Sequence, residues 1–472
     1  MRARVSNIPV EKIRKFCAVL FGCLAVFFAL IAVRNHFHRG GCLDSAAMLP
    51  WNAETPARAA QAGRLVFVHT ADLSELSPEC VRILNKKYSV ARLDKNLNPA
   101  DYDVLSYFLR RKFGRGSRFA CAVFTPTFKP VYIASDFDAK KIAAVLEIFA
   151  RSFDAAPEKF NLRAEMAGRD LTRSAVFGVA ETDSFPFANA AFSSEKIADA
   201  CPTALLTENA RVRFAVARKS GAMLTRIRAA EAFATLKRQF AKRTDARSRL
   251  YIARALADAG FAVSARAVPE LDCAAKAALQ GGSQERAADA ALKLSVLCGA
   301  YSVFENARYL QGARDIAARL VRIASERRDI PAVVVSASGG DSAVVPNSIA
   351  SALDLSLMAN ALCDYFDIAR DASALSAARS LLAKLDSDYR FGGLWTINSA
   401  FSPTASFARF AVLDDAADPS YVGEAKQAFA RVNRRSGVQS VGVAGGRETA
   451  LLPFAGFGAA GRASSMLAEL AR

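Results

Sequence analysis

Between residues 63 and 153, short apolar runs alternate with longer amphipathic stretches. RLVFVHT (64–70), YSVARLD (88–94), ACAVFT (120–125) and PVYIAS (130–135) are rich in β-branched and aromatic residues, the pattern of strands. Helices are expected from Ser77, Asn98 and Asp138. Ser77-Pro78 and Asn98-Pro99 each set a capping side chain ahead of a proline that suits the first helical turn. From Asn98, Val104, Leu105, Phe108 and Leu109 share one face; from Asp138, Ile142, Val145, Leu146, Phe149 and Phe153 do the same. The predicted order is β-α-β-α-β-β-α.

From 246 to 400 the periodicity is helical, carried by Ala and Leu, and it repeats at an offset of 65. Leu292, Leu297, Cys298, Tyr301, Ala313 and Leu320 map onto Leu357, Leu362, Cys363, Phe366, Ala378 and Leu385. Each unit reads as helix, short loop, helix. A single helical pair cannot bury its apolar face, so the repeat predicts stacked pairs. Leu297 and Leu362 should be equivalent and buried, and the loops near Asn306 and Asp371 should lie at one rim. Beyond, RFAVLDD (409–415), a helix from Pro419 to about Val432, and VQSVGV (438–443) suggest a small β-α-β piece. Residues 34–62 read as a polar linker, and 154–245 shows no clear organisation.

Residues 16–33, FCAVLFGCLAVFFALIAV, are uncharged and mostly apolar. As a helix they would span about 27 Å, close to a bilayer core. Arg2, Arg4, Lys12, Arg14 and Lys15 precede the run, and Arg34 and Arg39 follow it. That bias predicts residues 1–15 in the cytoplasm and the main domains outside it. The alternative is a lipoprotein anchored at Cys23, although ten apolar positions continue past that cysteine.

Charge and composition narrow the chemistry. The 472-residue chain carries a net charge of +18. Its three histidines stand at 36, 38 and 69, so the rest of the chain offers no histidine base or metal ligand. His69 reads as a residue at a sheet edge. Segment 211–249 holds twelve Lys or Arg against two acids. Its aromatics do not interleave as a base-stacking surface would, which argues against nucleic acid. Solvated helix faces are the plain reading; a surface for anionic lipid or an acidic polymer is the sharper one. The nine cysteines form no CxxC and no zinc spacing, and most read as small buried apolar residues. Gly456-Phe457-Gly458-Ala459-Ala460-Gly461 fits GxGxxG but lacks the following helix, strand and acid of a dinucleotide site. Asp414, Asp415 and Asp418 read as turn chemistry ahead of Pro419 rather than a metal cluster.

LNKKYSVARLD (84–94) and GRGSRFACAVFTPTFKPVY (114–132) resemble the spermatogenesis-associated thioredoxin-like family. That resemblance implies a thioredoxin-like domain joined to an α/α toroid like those of six-hairpin glycosidases. Two departures stand out. The loop HTADLSELSPEC lacks the CxxC of the family, leaving Cys80 alone inside a helix, and Phe119 stands where the family has a proline. Thiol chemistry needs a cysteine pair at a helix N-terminus, where the thiolate is favoured. Val345-Pro346-Asn347-Ser348-Ile349-Ala350 matches the family's GNSVAA segment, and its WNGL-type segment is missing near Leu250. Asp341, Asn347 and Trp395 are the candidate toroid-pocket residues. Asp364, Asp386 and Asp388 read as caps.

The expected architecture is multi-domain α/β plus α. A transmembrane helix (16–33) and a linker (34–62) lead to a thioredoxin-like domain (63–153). A basic connecting region (154–245), an α/α helical-hairpin, toroid-like domain (246–404) and a small β-α-β C-terminal segment (405–472) follow. No catalytic residue, cofactor or metal is assigned. The expected role is a membrane-anchored, non-catalytic binding or scaffolding protein, meeting an envelope protein or a small-molecule or carbohydrate ligand. The alternatives are a carbohydrate-active or epimerase-like enzyme in the toroid cavity and a thiol-disulfide protein.

Overall fold

The computed structural model describes residues 43, 47–70, 73, 76–113, 118–176, 192, 194–259, 268–280, 284–326, 329–335, 345, 347–391, 394–409, 411 and 419–436. The apolar run 16–33, Asp341, the acids Asp414, Asp415 and Asp418, the strand expected at 438–443 and the GxGxxG sequence lie outside them.

The N-terminal part is a five-stranded sheet, β1 (Met48–Leu49), β2 (Leu65–His69), β3 (Tyr88–Arg92), β4 (Cys121–Phe124) and β5 (Pro130–Ala134), in the order β1-β3-β2-β4-β5. β3 runs parallel to β1 and β2; β4 runs antiparallel to β2 and β5. Helices α1 (Thr55–Ala62), α2 (Pro78–Lys87), α3 (Pro99–Phe113) and α4 (Ala139–Ala155) connect or follow the strands. Ser77 caps α2 as expected, its hydroxyl accepting from the Cys80 amide at 3.2 Å. Two sequence expectations change here. Residues 47–62, expected as linker, supply β1, α1 and the buried Trp51. His69 is not at a sheet edge: it ends the central strand and is buried.

The C-terminal part is two layers of helices. The inner layer is α7 (Thr203–Ser220), α9 (Ala246–Ala259), α11 (Ala287–Phe304), α13 (Ala352–Ala369) and α15 (Tyr421–Ser436). The outer layer is α8 (Met223–Lys242), α10 (Pro269–Leu279), α12 (Ala307–Glu326) and α14 (Ala372–Asp388). Each inner helix packs on the next, and each outer helix returns along its inner partner. α5 (Pro157–Val176) and α6 (Glu195–Ala200) bridge from the sheet. The array thus begins near Thr203, within the stretch where the sequence shows no organisation. The reason is chemical: α7 buries Thr207, Glu208, Asn209 and Arg211, which break its apolar stripe.

α11 is apolar on every face because neighbours cover every face. Among the described residues it is the helix long and apolar enough to cross a membrane, but its residues are core. A Cβ added at Gly299 would stand 2.4 Å from the Ala257 Cβ, so glycine sets the close approach of α9 and α11.

The 65-residue repeat is visible atom by atom. Leu297 and Leu362 are both fully buried, each at the eleventh position of its helix. Glu305 and Arg370 both end their helices in the left-handed region, at φ 53° and 56°. Asn306 and Asp371 then each accept from an amide two residues on, at 3.0 and 2.9 Å.

Sheet and helices meet at a polar seam around Asp101. Its buried carboxylate accepts from Trp51 Nε1 at 2.8 Å, the Ser402 and Thr404 hydroxyls and the Thr404 amide. Beside it, Phe407 packs against Phe108, Phe124 and Phe128.

Candidate functional site

The five inner helices enclose a cavity of roughly 750 Å³. The lining residues run from the middle of each helix to its C-terminal end, from Arg211 on α7 to Arg435 on α15. The inner helices are therefore parallel, and this is the mouth at their C-terminal ends.

The cavity floor is an ionic network among otherwise apolar helices. Arg254 of α9 grips Glu424 of α15 with two bonds, 2.9 and 3.1 Å. Asn360 of α13 donates to the same carboxylate at 2.7 Å. Arg211 reaches Glu208 at 2.7 Å, Asp258 at 2.5 Å and Glu424 at 3.7 Å. Further along α15 and α13, Arg431 pairs with Asp364, which also accepts from Ser295 Oγ at 2.6 Å. Arg435 pairs with Asp367.

Burial sorts the carboxylates. It pushes Glu424 up, but Arg254 and Arg211 outweigh it and hold the group below the ordinary range. The same contest holds Asp258 down, through Arg211. For Glu208 burial wins over Arg211, helped by the Glu424 charge, and the group is held above the ordinary range. Desolvation would lower Arg431, but Asp364 and the neighbouring thiol raise it, keeping the guanidinium charged.

The floor holds four guanidiniums (Arg211, Arg254, Arg431, Arg435) and five carboxylates (Glu208, Asp258, Asp364, Asp367, Glu424), of which Glu208 is the one pushed toward its neutral form. The rim does not balance: Arg218, Lys219 and Arg434 also line the mouth, and neither Lys219 nor Arg434 makes an ion pair among the described residues. A helix C-terminus attracts cations on its own account, with about half a negative charge each. The three rim cations sit on the ends of just two helices, α7 and α15. Arg218 donates to the Asp258 carbonyl, so Lys219 and Arg434, less about half a charge for each helix end, leave that side of the mouth positive by about one charge.

A second cavity, roughly 320 Å³, lies at the other end of α13, where Asn52 and Glu54 approach the helices. Asn347 lines it, with φ 59° and its Oδ1 accepting from Asn52 Nδ2 at 3.0 Å. Asp329, Asp388 and Lys384 line it too, and burial holds Lys384 below the ordinary lysine range.

Trp395 lies in neither cavity. It is buried, stacked on Phe429 with centroids 5.2 Å apart, and donates to Asp386 at 3.2 Å. Asp364, expected as a cap, is a cavity wall. Arg211, Arg254, Glu424 and Arg431 were missed. Their signal was a charge at an inward position of an Ala/Leu helix, as in Ile252-Ala253-Arg254-Ala255-Leu256. The thiols fare differently from an acidified redox pair. Cys80 and Cys121 are buried, and burial pushes them up to about 11 and about 12.

No protein-family model matches the chain, and no curated protein matches it. Several solved structures show a partial likeness. An α-1,6-mannanase, GH76A of Salegentibacter sp. HEL1_6, gives a TM-score of 0.41 at 10% identity, over 57% of this chain and 87% of its own. An unsaturated glucuronyl hydrolase specific for heparin gives 0.39 at 11%, over 57% and 72%. A D-mannose isomerase gives 0.36 at 9%, over 49% and 71%. Likeness at this level fixes nothing about activity, and none of these places the chain in the spermatogenesis-associated thioredoxin-like family.

Proposed function

We propose that this protein binds a small anion-bearing ligand, such as an acidic sugar or a phosphorylated compound, in the cavity at the C-terminal ends of its inner helices. The observation that carries this reading is the rim: Lys219 and Arg434 stand at the mouth with no carboxylate partner among the described residues, above a floor whose guanidiniums are already paired with carboxylates. Floor carboxylates locked to arginines favour holding a ligand over protonating one. The membrane anchor at 16–33, with the main domains outside the cytoplasm, belongs to the same proposal. A thioredoxin-like origin for the sheet is supported by its strand order and directions. Its buried, high-pKa thiols support a role in shape rather than redox turnover.

Calorimetry with pyrophosphate, glucuronate and glucose tests the binding. The anions should bind and glucose should not. Lys219→Glu combined with Arg434→Glu should weaken binding about tenfold or more, and added salt should weaken it in the parent chain. Equal binding of glucose and glucuronate, or no anion binding, sinks the reading.

One observation favours an enzyme instead. Glu208 and Glu424 share Arg211, yet their surroundings push their protonation in opposite directions, as an acid–base pair requires. Turnover of an acidic glycoside that disappears in Glu208→Gln while glucuronate still binds would establish that second reading.

A further inference from the structure

The mouth of the basic cavity carries a feature that ligand binding does not use. α7 and α8 are joined by Gly221 and Ala222 alone, with Gly221 at φ +62° in the left-handed region. α8 then opens with Met223, Leu224 and Ile227, 79%, 59% and 46% exposed. At spacings i, i+1 and i+4 they share one helix face. That face is distinct from the core face of Ala229, Ala232, Leu236 and Phe240. Around this apolar tip the sequence from 218 to 228 contains Arg218, Lys219, Arg226 and Arg228 and no acid. Arg218, Lys219, Arg226 and Arg228 are all exposed.

We propose that this tip docks on an anionic phospholipid bilayer. Met223, Leu224 and Ile227 enter the interface, and Lys219, Arg226 and Arg228 meet the headgroup phosphates. An amphipathic element with large apolar side chains and flanking Lys/Arg is what an interfacial site needs. Each basic side chain brought to such a surface strengthens partitioning about fivefold. Charge separates this tip from the exposed pair Leu162 and Met166, where Glu158 and Glu165 balance Lys159 and Arg163. Because Lys219 belongs to both the tip and the cavity rim, docking would bring the cavity to the lipid phosphates. This part rests on the cavity being an anion site; the docking of the tip does not.

The test uses the full chain reconstituted in vesicles, with a Met223→Trp variant. Trp51 and Trp395 are buried and serve as a silent background. In vesicles containing phosphatidylglycerol, brominated lipid should quench the new tryptophan at least threefold more than in pure phosphatidylcholine. The excess should vanish in Lys219→Glu/Arg226→Glu, and in about 1 M salt, where the screening length is about 3 Å. Met166→Trp should show no excess, and both variants should melt with the parent chain. Equal quenching in neutral vesicles, or none, overturns the proposal. So does a dimer that Met223→Asp abolishes, since the tip would then cover a second copy. If pyrophosphate binds the parent chain while quenching fails, the docking proposal falls alone. If quenching holds and no anion binds, the cavity reading falls and the docking surface stands.

Discussion

Two buried carboxylates hold this molecule together, and they are buried by opposite means. Glu424, on the axis of the helical array, meets two guanidiniums and an amide. Asp101, in the seam between sheet and helices, meets hydroxyls, an indole and a backbone amide; no cation is among its hydrogen-bond partners. The first stays ionised because charge outweighs desolvation. The second is pushed up by desolvation, which its hydrogen bonds offset in part. Cations can be spent on the axis because arginines already crowd the cavity there. The seam lies under Phe407 and Trp51, where another long charged side chain would have to be desolvated as well.

Breaking the axis should give the largest effect. Arg254→Met leaves Glu424 buried beside fewer cations and should cost about 3–5 kcal/mol in urea unfolding. Adding Glu424→Leu removes the orphaned charge and should restore most of that loss. If the double variant is as unstable as the single one, the arginine acts through packing and not through charge.

The seam should respond to pH in the opposite sense from the axis. Asp101 is raised in the folded chain, so the folded form keeps a proton that the unfolded form has released above about 3.9. Its stabilisation is full below that value and is lost as pH rises toward the raised pKa. Glu424 is lowered, so its contribution is present at neutral pH and is lost as pH falls below about 4.3. Asp101→Asn should flatten the decline with rising pH by at most about 1.4 kcal/mol per pH unit. Parallel profiles for variant and parent would mean that Asp101 is ionised in the seam.

The smallest effect sharpens the same contrast. Ser402→Ala removes one donor from Asp101 and should cost about 0.5–1.5 kcal/mol. In the Asp101→Asn background the cost should shrink, because the two side chains share one interaction. Additive losses in the double-mutant cycle would place the serine's worth elsewhere in the 399–406 loop.

How much of this could be read from sequence followed the range of the interactions. β2 to β5 were legible because side-chain alternation, turn residues and the cap at Ser77 are local; Asn98, expected as a second cap, precedes its helix but its buried side-chain oxygen accepts no hydrogen bond among the described residues. The helical pairs 287–326 and 352–388 were legible because the repeat carries its own loop chemistry, down to left-handed Glu305 and Arg370. α7 and α8 were not, since an inward Arg211 makes a core helix look like a solvated one. Asp364 looked like a cap because its partner Arg431 is 67 residues away. Trp395 looked like a ligand platform because nothing local announces the Phe429 ring that covers it. Of the three candidate pocket residues, Asn347 lines a cavity, Trp395 is core, and Asp341 lies outside the described residues.

The contact between Arg211 and Glu424 has a consequence for growth of the array. These residues belong to the first and last inner helices among the described residues, and they stand 3.7 Å apart. An extra 65-residue unit could be spliced in without disturbing either loop, since both units end and begin with the same geometry. Yet each added inner helix would move its flanking helices apart by about 8–10 Å. That exceeds what an arginine can span. The ion cluster therefore acts as a caliper: it accepts an array of this circumference and leaves unpaired charge in a larger one.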